Sequence, residues 1–152
     1  MNVRAVYVLV ISVNNDIKAD VGRLGTMAFR KGTYAYVGSA QNGLGKRIAR
    51  HLGKRKKRFW HIDYLLCDHS VKVAVVFWKE AKKAEECATA KRMGEVGVPV
   101  AGFGCSDCFC RSHLFMLYDR NSSGGPIALL GRTLFAAGRW HRERVDRFLG
   151  LP

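Results

Sequence analysis

Arg47 and His51 stand four residues apart in LGKRIARHLG, a spacing that puts both side chains on one side of a helix. A guanidinium there can absorb negative charge on a phosphate, and an imidazole one turn on can carry a proton. Tyr36 precedes them in YVG, Tyr7 lies near the start in AVY, and Glu86 follows in the EEC of a second helical stretch. Cleaving a phosphodiester needs a proton acceptor, a cation for the developing charge and usually a metal held by a carboxylate. Tyr7, Tyr36, Arg47, His51 and Glu86 are the residue types that supply those parts. A tyrosine base needs positive charge close by, because its reference pKa is about 10. A glutamate on a helix surface is ordinarily only solvated, so the types alone do not define a site.

Charge sharpens the reading. The chain has 152 residues, and its 26 lysines and arginines face 12 acidic residues, for a formal charge of +14. Between Asp20 and Asp63 there is no acidic residue, while eleven lysines and arginines occur. So one-signed a run points to a polyanion, and each neutralised phosphate of a duplex adds about 0.9 to the salt dependence of binding. Lys46, Arg50, Lys54, Arg55, Lys56, Lys57 and Arg58 are the candidate phosphate contacts, and Trp60 and His61 continue the run. The rings of Phe59 and Trp60 either stack on bases or begin the next core element.

Cys105, Cys108, Cys110 and His113 form a second constellation, with Asp107 inside it. Thiols and an imidazole are zinc ligands, yet the single residue between Cys108 and Cys110 makes tetrahedral coordination by all four awkward. The spacing therefore favours a metal-free structural cluster over zinc or iron, with a reactive thiol as a third reading. Five cysteines, an odd number, do not make a complete disulfide framework.

These residues must be positioned by a small number of elements. Ala5 to Val13 reads as a central strand, Tyr34 to Val37 as a short strand with both tyrosines on one face, and Val71 to Trp78 as another strong strand. Leu44 to Leu52 reads as a helix with Leu44, Ile48 and Leu52 buried, His61 to Leu66 as a short docked helix, and Glu80 to Arg92 as a long one. Gly94 to Gly104 reads as loop, Leu114 to Tyr118 as strand, and NSSGGP at Asn121 to Pro126 as a flexible connection. RWHRERVDRFL reads as a basic amphipathic helix. The expected organisation is a core domain over residues 1–120 and an extension over 121–152 whose helix packs on it. No apolar stretch approaches the roughly 20 residues of a membrane span, and no signal-peptide pattern is present, so no membrane partner and a cytoplasmic location are expected.

The motifs GTYAYVGSA, GL–RI–RH at Gly43 to His51, WHIDYLL, the EC at Glu86 and Cys87, and GFGCSDCFCRSHLF together resemble the GIY-YIG nuclease superfamily. They are most similar to a small, mostly archaeal branch whose members are sometimes fused to a base-excision glycosylase. The resemblance runs from about Val6 to Leu117. It implies a small α/β fold with a central antiparallel or mixed sheet and flanking helices. It also implies a divalent-metal-dependent endonuclease acting on DNA rather than RNA, with a DNA-repair protein as a further partner. Tyr7 matches the first motif's tyrosine, Tyr36 the second's and its base, Arg47 the phosphate-binding arginine and His51 a frequent proton-transfer residue. Glu86 matches the ligand of one magnesium or manganese ion, and His61 a histidine further along. Ala5 replaces the first motif's glycine, and VGRLGTMAF lengthens the hairpin between the motifs. Those departures set the alternatives: a nucleic-acid-binding module without cleavage, or a metal-stabilised protein-interaction domain.

Overall fold

A computed structural model describes residues 2–118 and 123–150. Its centre is β1 (Ala5–Val13), whose alternating β-branched and aromatic residues fit a pleated strand buried on both faces. β2 (Ile17–Asp20) and β3 (Thr26–Phe29) form a separate two-stranded hairpin, and β4 (Gly32–Ala40) returns antiparallel along β1. The chain continues through α1 (Leu44–Leu52), α2 (His61–Leu66), β5 (Val71–Glu80), α3 (Glu85–Met93), β6 (Gly97–Pro99) and β7 (Leu114–Leu117). It then forms α4 (Gly125–Ala136) and β8 (His141–Arg144), followed by a 3-10 turn at Val145–Phe148. The sheet has six strands in the order β6-β7-β4-β1-β5-β8, with every neighbouring pair antiparallel. This is a small α/β domain with flanking helices.

Side-chain alternation along β1 divides the core in two. Tyr7, Leu9, Ile11 and Val13 face a layer that contains α1, α2 and the β2–β3 hairpin, together with Tyr34, Tyr36, Ile48, Ile62 and Phe103. Val6, Val8 and Val10 face α3 and α4, where Ala90, Met93, Leu130 and Leu134 close the other side. A nine-residue helix such as α1 is marginal alone. Leu44 and Ile48, both fully buried, hold it to the sheet, each worth about 1.5–3 kcal/mol of transfer free energy.

The expected elements differ from the structure in particular places. The helix expected from Glu80 starts at Glu85, because β5 continues to Glu80 in register with Ala5 of β1. The VGRLGTMAF insertion falls across the β2–β3 hairpin, and the loop expected after Gly94 includes edge strand β6. The basic amphipathic helix expected for RWHRERVDRFL is replaced by β8 and the 3-10 turn, with helical structure falling earlier, on the apolar α4. Arg142 opposite Phe77 and His141 stacked on Trp78 satisfy a cross-strand pattern that helical spacing conceals. Of the expected flexible connection, residues 121 and 122 lie outside the described residues.

Candidate functional site

The β1–β4 hairpin and α1 meet over a polar cavity of about 530 Å³ lined by Tyr7, Tyr36, Arg47, Trp60, His61 and Glu86 among others. Tyr7 and Gly38 are directly paired across the two strands, and a Cβ at Gly38 would overlap the Tyr7 ring, so glycine at that position makes room for the tyrosine. The Tyr7 hydroxyl lies 2.7 Å from His51 Nε2. Burial pulls the His51 imidazole down to about pKa 3, so it is neutral at pH 7, and its Nδ1 is buried without a hydrogen-bond partner. Burial also pushes the Tyr7 hydroxyl up to about 12, against the opposing pull of Arg47, and raises Tyr36 well above its ordinary value.

Arg47 donates to Ser39 O at 2.7 Å and stacks over Trp60, its guanidinium carbon 4.4 Å from the ring centroid. Arg50 lies equally close to the same ring and also grips Asp63 with two hydrogen bonds of 2.8 and 2.9 Å. Asp63 is fully buried. Desolvation would raise its pKa, but the Arg50 hydrogen bonds and the backbone N–H groups of Phe59 and Trp60 hold it below its usual value. Asp63 thus closes the N-terminus of α2 and fixes the Trp60 wall of the cavity. His61 accepts the Gly104 N–H at Nδ1 over 2.8 Å, tying α2 to the cysteine loop.

The KRKKR run divides by function. Lys54 donates to Leu66 O at 2.6 Å, Val71 O at 2.9 Å and Asp68 O at 3.3 Å, bridging the end of α2 to β5. Lys56 donates to His51 O at 2.8 Å and Arg50 O at 3.1 Å at the C-terminus of α1. Desolvation lowers the pKa of both ammonium groups. Arg58 lies over Tyr64, while Lys46, Arg55 and Lys57 are exposed. The run therefore supplies two helix-end clamps beside a smaller exposed charge.

The cysteine block forms a different ligand set from the expected one. Cys87, Cys108, Cys110 and His113 each offer one ligand atom, all within 4.8 Å of one another. Cys105 is not a member; its thiol lies 3.4 Å from Phe103 O. Cys108 and Cys110 stay together in the set despite the single residue between them, while Cys87 from α3 takes the place expected for Cys105. His113 explains how the site is oriented. Its Nδ1 lies 3.1 Å from Glu86 Oε1, and its Nε2 lies 3.4 Å from Cys108 Sγ. A carboxylate behind a ligating imidazole fixes the tautomer that leaves the other nitrogen free for metal. Three thiolates and one imidazole match a structural zinc-type site. Asp107 lies outside the cluster and pairs with Lys83 at 3.5 Å.

This geometry overturns the expected magnesium or manganese ion at Glu86, and with it the endonuclease reading. Among the described residues the metal-capable group is soft and cysteine-based, and Glu86 supports its histidine. Tyr36 and His51 were the expected water-activating groups. Burial makes the first too weak an acid to ionise near neutrality and leaves the second without a free route to a substrate proton. The preference for a metal-free cysteine cluster is corrected on the same finding. Sequence spacing missed Cys87 as a ligand because it lies on another element; its signal was the EC pair that it forms with Glu86.

A small α/β domain built on an antiparallel sheet, with a Cys3His cluster beside a polar cavity, is the class that these observations define. The chain belongs to the family described as a domain of unknown function, DUF123, which matches residues 6–134. No curated protein and no solved structure matches it. Among the described residues, no helix is long and apolar enough to cross a membrane.

Proposed function

We propose that this protein is a non-catalytic nucleic-acid-binding module on a GIY-YIG-like scaffold, held in shape by a zinc-type ion at Cys87, Cys108, Cys110 and His113. The observation that carries the reading is the cavity's charge arrangement. Arg47 faces it over Trp60, while the acidic side chains that line it, Glu86 and Asp107, are bonded to His113 and Lys83. Exposed Lys46, Arg55, Lys57 and Arg58 lie on the same α1–α2 segment. A phosphodiester backbone fits that combination of cation, aromatic wall and partnered carboxylates. Cys87 on α3 and Cys108, Cys110 and His113 on the loop before β7 would hold the ion, which would cross-link the two, and the Glu86 carboxylate fixes the orientation of the His113 ring.

The scaffold likeness rests on Tyr7 and Tyr36 standing on the paired strands β1 and β4, with Arg47 on the helix that follows. DNA is favoured over RNA on the motif resemblance alone, and a repair protein as a second partner has the same basis. In a gel-shift assay the zinc-loaded protein should retard labelled DNA single strands and duplexes and leave them uncut in magnesium. Recovery of shortened strands, or no retardation at low salt, would overturn the proposal.

A further inference from the structure

Outside the polar cavity, the cysteine loop carries Phe109, whose side chain is fully exposed between two cluster cysteines. An aromatic ring left in water on a loop held at Cys108 and Cys110 has no folding role, because it buries nothing. It projects beside a second, mainly apolar groove of about 920 Å³ whose walls include Ala88, Lys91, Pro99, Arg111 and Phe115. Lys91 and Arg111 make no ion pair among the described residues. The groove therefore combines an apolar floor, a free aromatic face and uncompensated positive charge.

Two further details give the groove a direction. Asp107 lines both this groove and the polar cavity, so the two concavities adjoin across one residue. Phe59, 76% exposed, also lines the polar cavity, beside Trp60. An exposed ring thus lines each of two adjoining concavities, with Arg47 in one, Lys91 and Arg111 in the other, and the Lys83-paired Asp107 common to both. Bases of a duplex are stacked on one another and offer no free face. An unpaired base has a free π-face and a neighbouring phosphate, which is the chemistry that an exposed ring in a groove also lined by Lys91 and Arg111 accepts. A second copy of the chain would bring the same positive charges against themselves.

We propose that the Phe109 groove is a docking site for an unpaired nucleobase, so that the protein prefers single-stranded nucleic acid and runs it from the cysteine loop into the Arg47 cavity. This rests on the nucleic-acid reading above and adds the strand state and the base contact. Metal binding by the two cysteines that flank Phe109 would fix the loop that presents the ring. The Phe109→Ala substitution leaves all four of those ligands in place.

The test uses the full chain loaded with zinc and fluorescently labelled 12-nucleotide oligo-dT, oligo-U and a blunt DNA duplex. A second set of single strands carries 2-aminopurine, which is quenched on stacking. Loss of one stacked base amounts to about 1–3 kcal/mol, so Phe109→Ala should weaken single-strand binding by about 5-fold to 150-fold. Duplex binding and zinc content should stay unchanged. Phe109→Trp should restore both affinity and quenching, on the DNA and the RNA strand alike. Full single-strand affinity and quenching in Phe109→Ala with normal zinc would overturn the proposal. So would an equal loss on duplex, or a dimer that Phe109→Ala dissociates without altering strand affinity. If Arg55→Ala/Lys57→Ala weakens binding while Phe109→Ala does not, the base site fails and the nucleic-acid reading stands. If the unsubstituted protein binds no strand, both fail.

Discussion

The division of the basic run gives a prediction with two readouts that separate. In Lys54→Ala/Lys56→Ala, five carbonyl contacts at the ends of α1 and α2 disappear. A hydrogen bond to a charged group is worth about 1.5–3 kcal/mol when shielded. Lys54 is an exposed residue, so water replaces part of its contribution, and about 1 kcal/mol is the reasonable share there. Lys56, half-buried, contributes about 2 kcal/mol. Their combined loss of about 3 kcal/mol should lower the urea midpoint by about 1.5 M for a denaturant slope near 2 kcal/mol/M. Arg55→Ala/Lys57→Ala removes exposed charge and should stay within about 0.5 kcal/mol of the unsubstituted protein. In anisotropy titrations against salt, however, that pair should reduce the log–log slope by about 1.4 on a single strand or 1.8 on a duplex. Equal stability in the two double variants, or a smaller slope change in Arg55→Ala/Lys57→Ala than in Lys54→Ala/Lys56→Ala, would refute the division.

Other substitutions test the remaining parts. Cys87→Ser should lose bound zinc, measured by atomic absorption, whereas Cys105→Ser should keep it; the reverse result would restore the loop-only ligand set. Glu86→Gln keeps a hydrogen-bond acceptor behind His113 and should weaken zinc about tenfold or more in a chelator competition, with Glu86→Ala worse. Asp63→Ala leaves Arg50 and two backbone N–H groups without their buried acceptor and should cost about 3 kcal/mol by urea unfolding. His51 makes stability pH-dependent. Its folded pKa is about 3, below the unfolded value of about 6.5, so only the unfolded chain takes up the proton between them. Stability from that group is complete above pH 6.5 and is lost on acidification towards pH 3, by up to about 1.4 kcal/mol per pH unit. His51→Gln should show a flatter urea midpoint across pH 4–6.5.

Much of the fold could be read from local pattern, because β1, α1 and α2 bury what their periodicity says they bury. Leu44 and Ile48 are buried at helical spacing, whereas Leu52, the third of the expected stripe, is only partly buried and His51 is buried instead; Tyr34 and Tyr36 share a sheet face. The C-terminal segment could not be read that way. RWHRERV has an apolar spacing compatible with a helix, and only the open edge of β5 turns it into a strand. The cavity residues Tyr7, Tyr36, Arg47, Trp60, His61 and Glu86 do converge, but their spacing does not reveal burial. Burial is what makes His51 neutral and raises the tyrosines. The lysines of KRKKR look alike in sequence, and only the positions of the helix ends separate Lys54 and Lys56 from their neighbours. Cys87 was hidden for a related reason, since a ligand contributed by another element has no spacing to announce it.

The most direct test of the central account is the salt dependence of binding by the zinc-loaded full chain to a single-stranded DNA oligonucleotide, with strand length checked after each titration. The log of the binding constant should fall linearly with the log of salt, with a slope of several units, and the strand should be recovered whole. A constant that does not change with salt, or a shortened strand, would contradict the account.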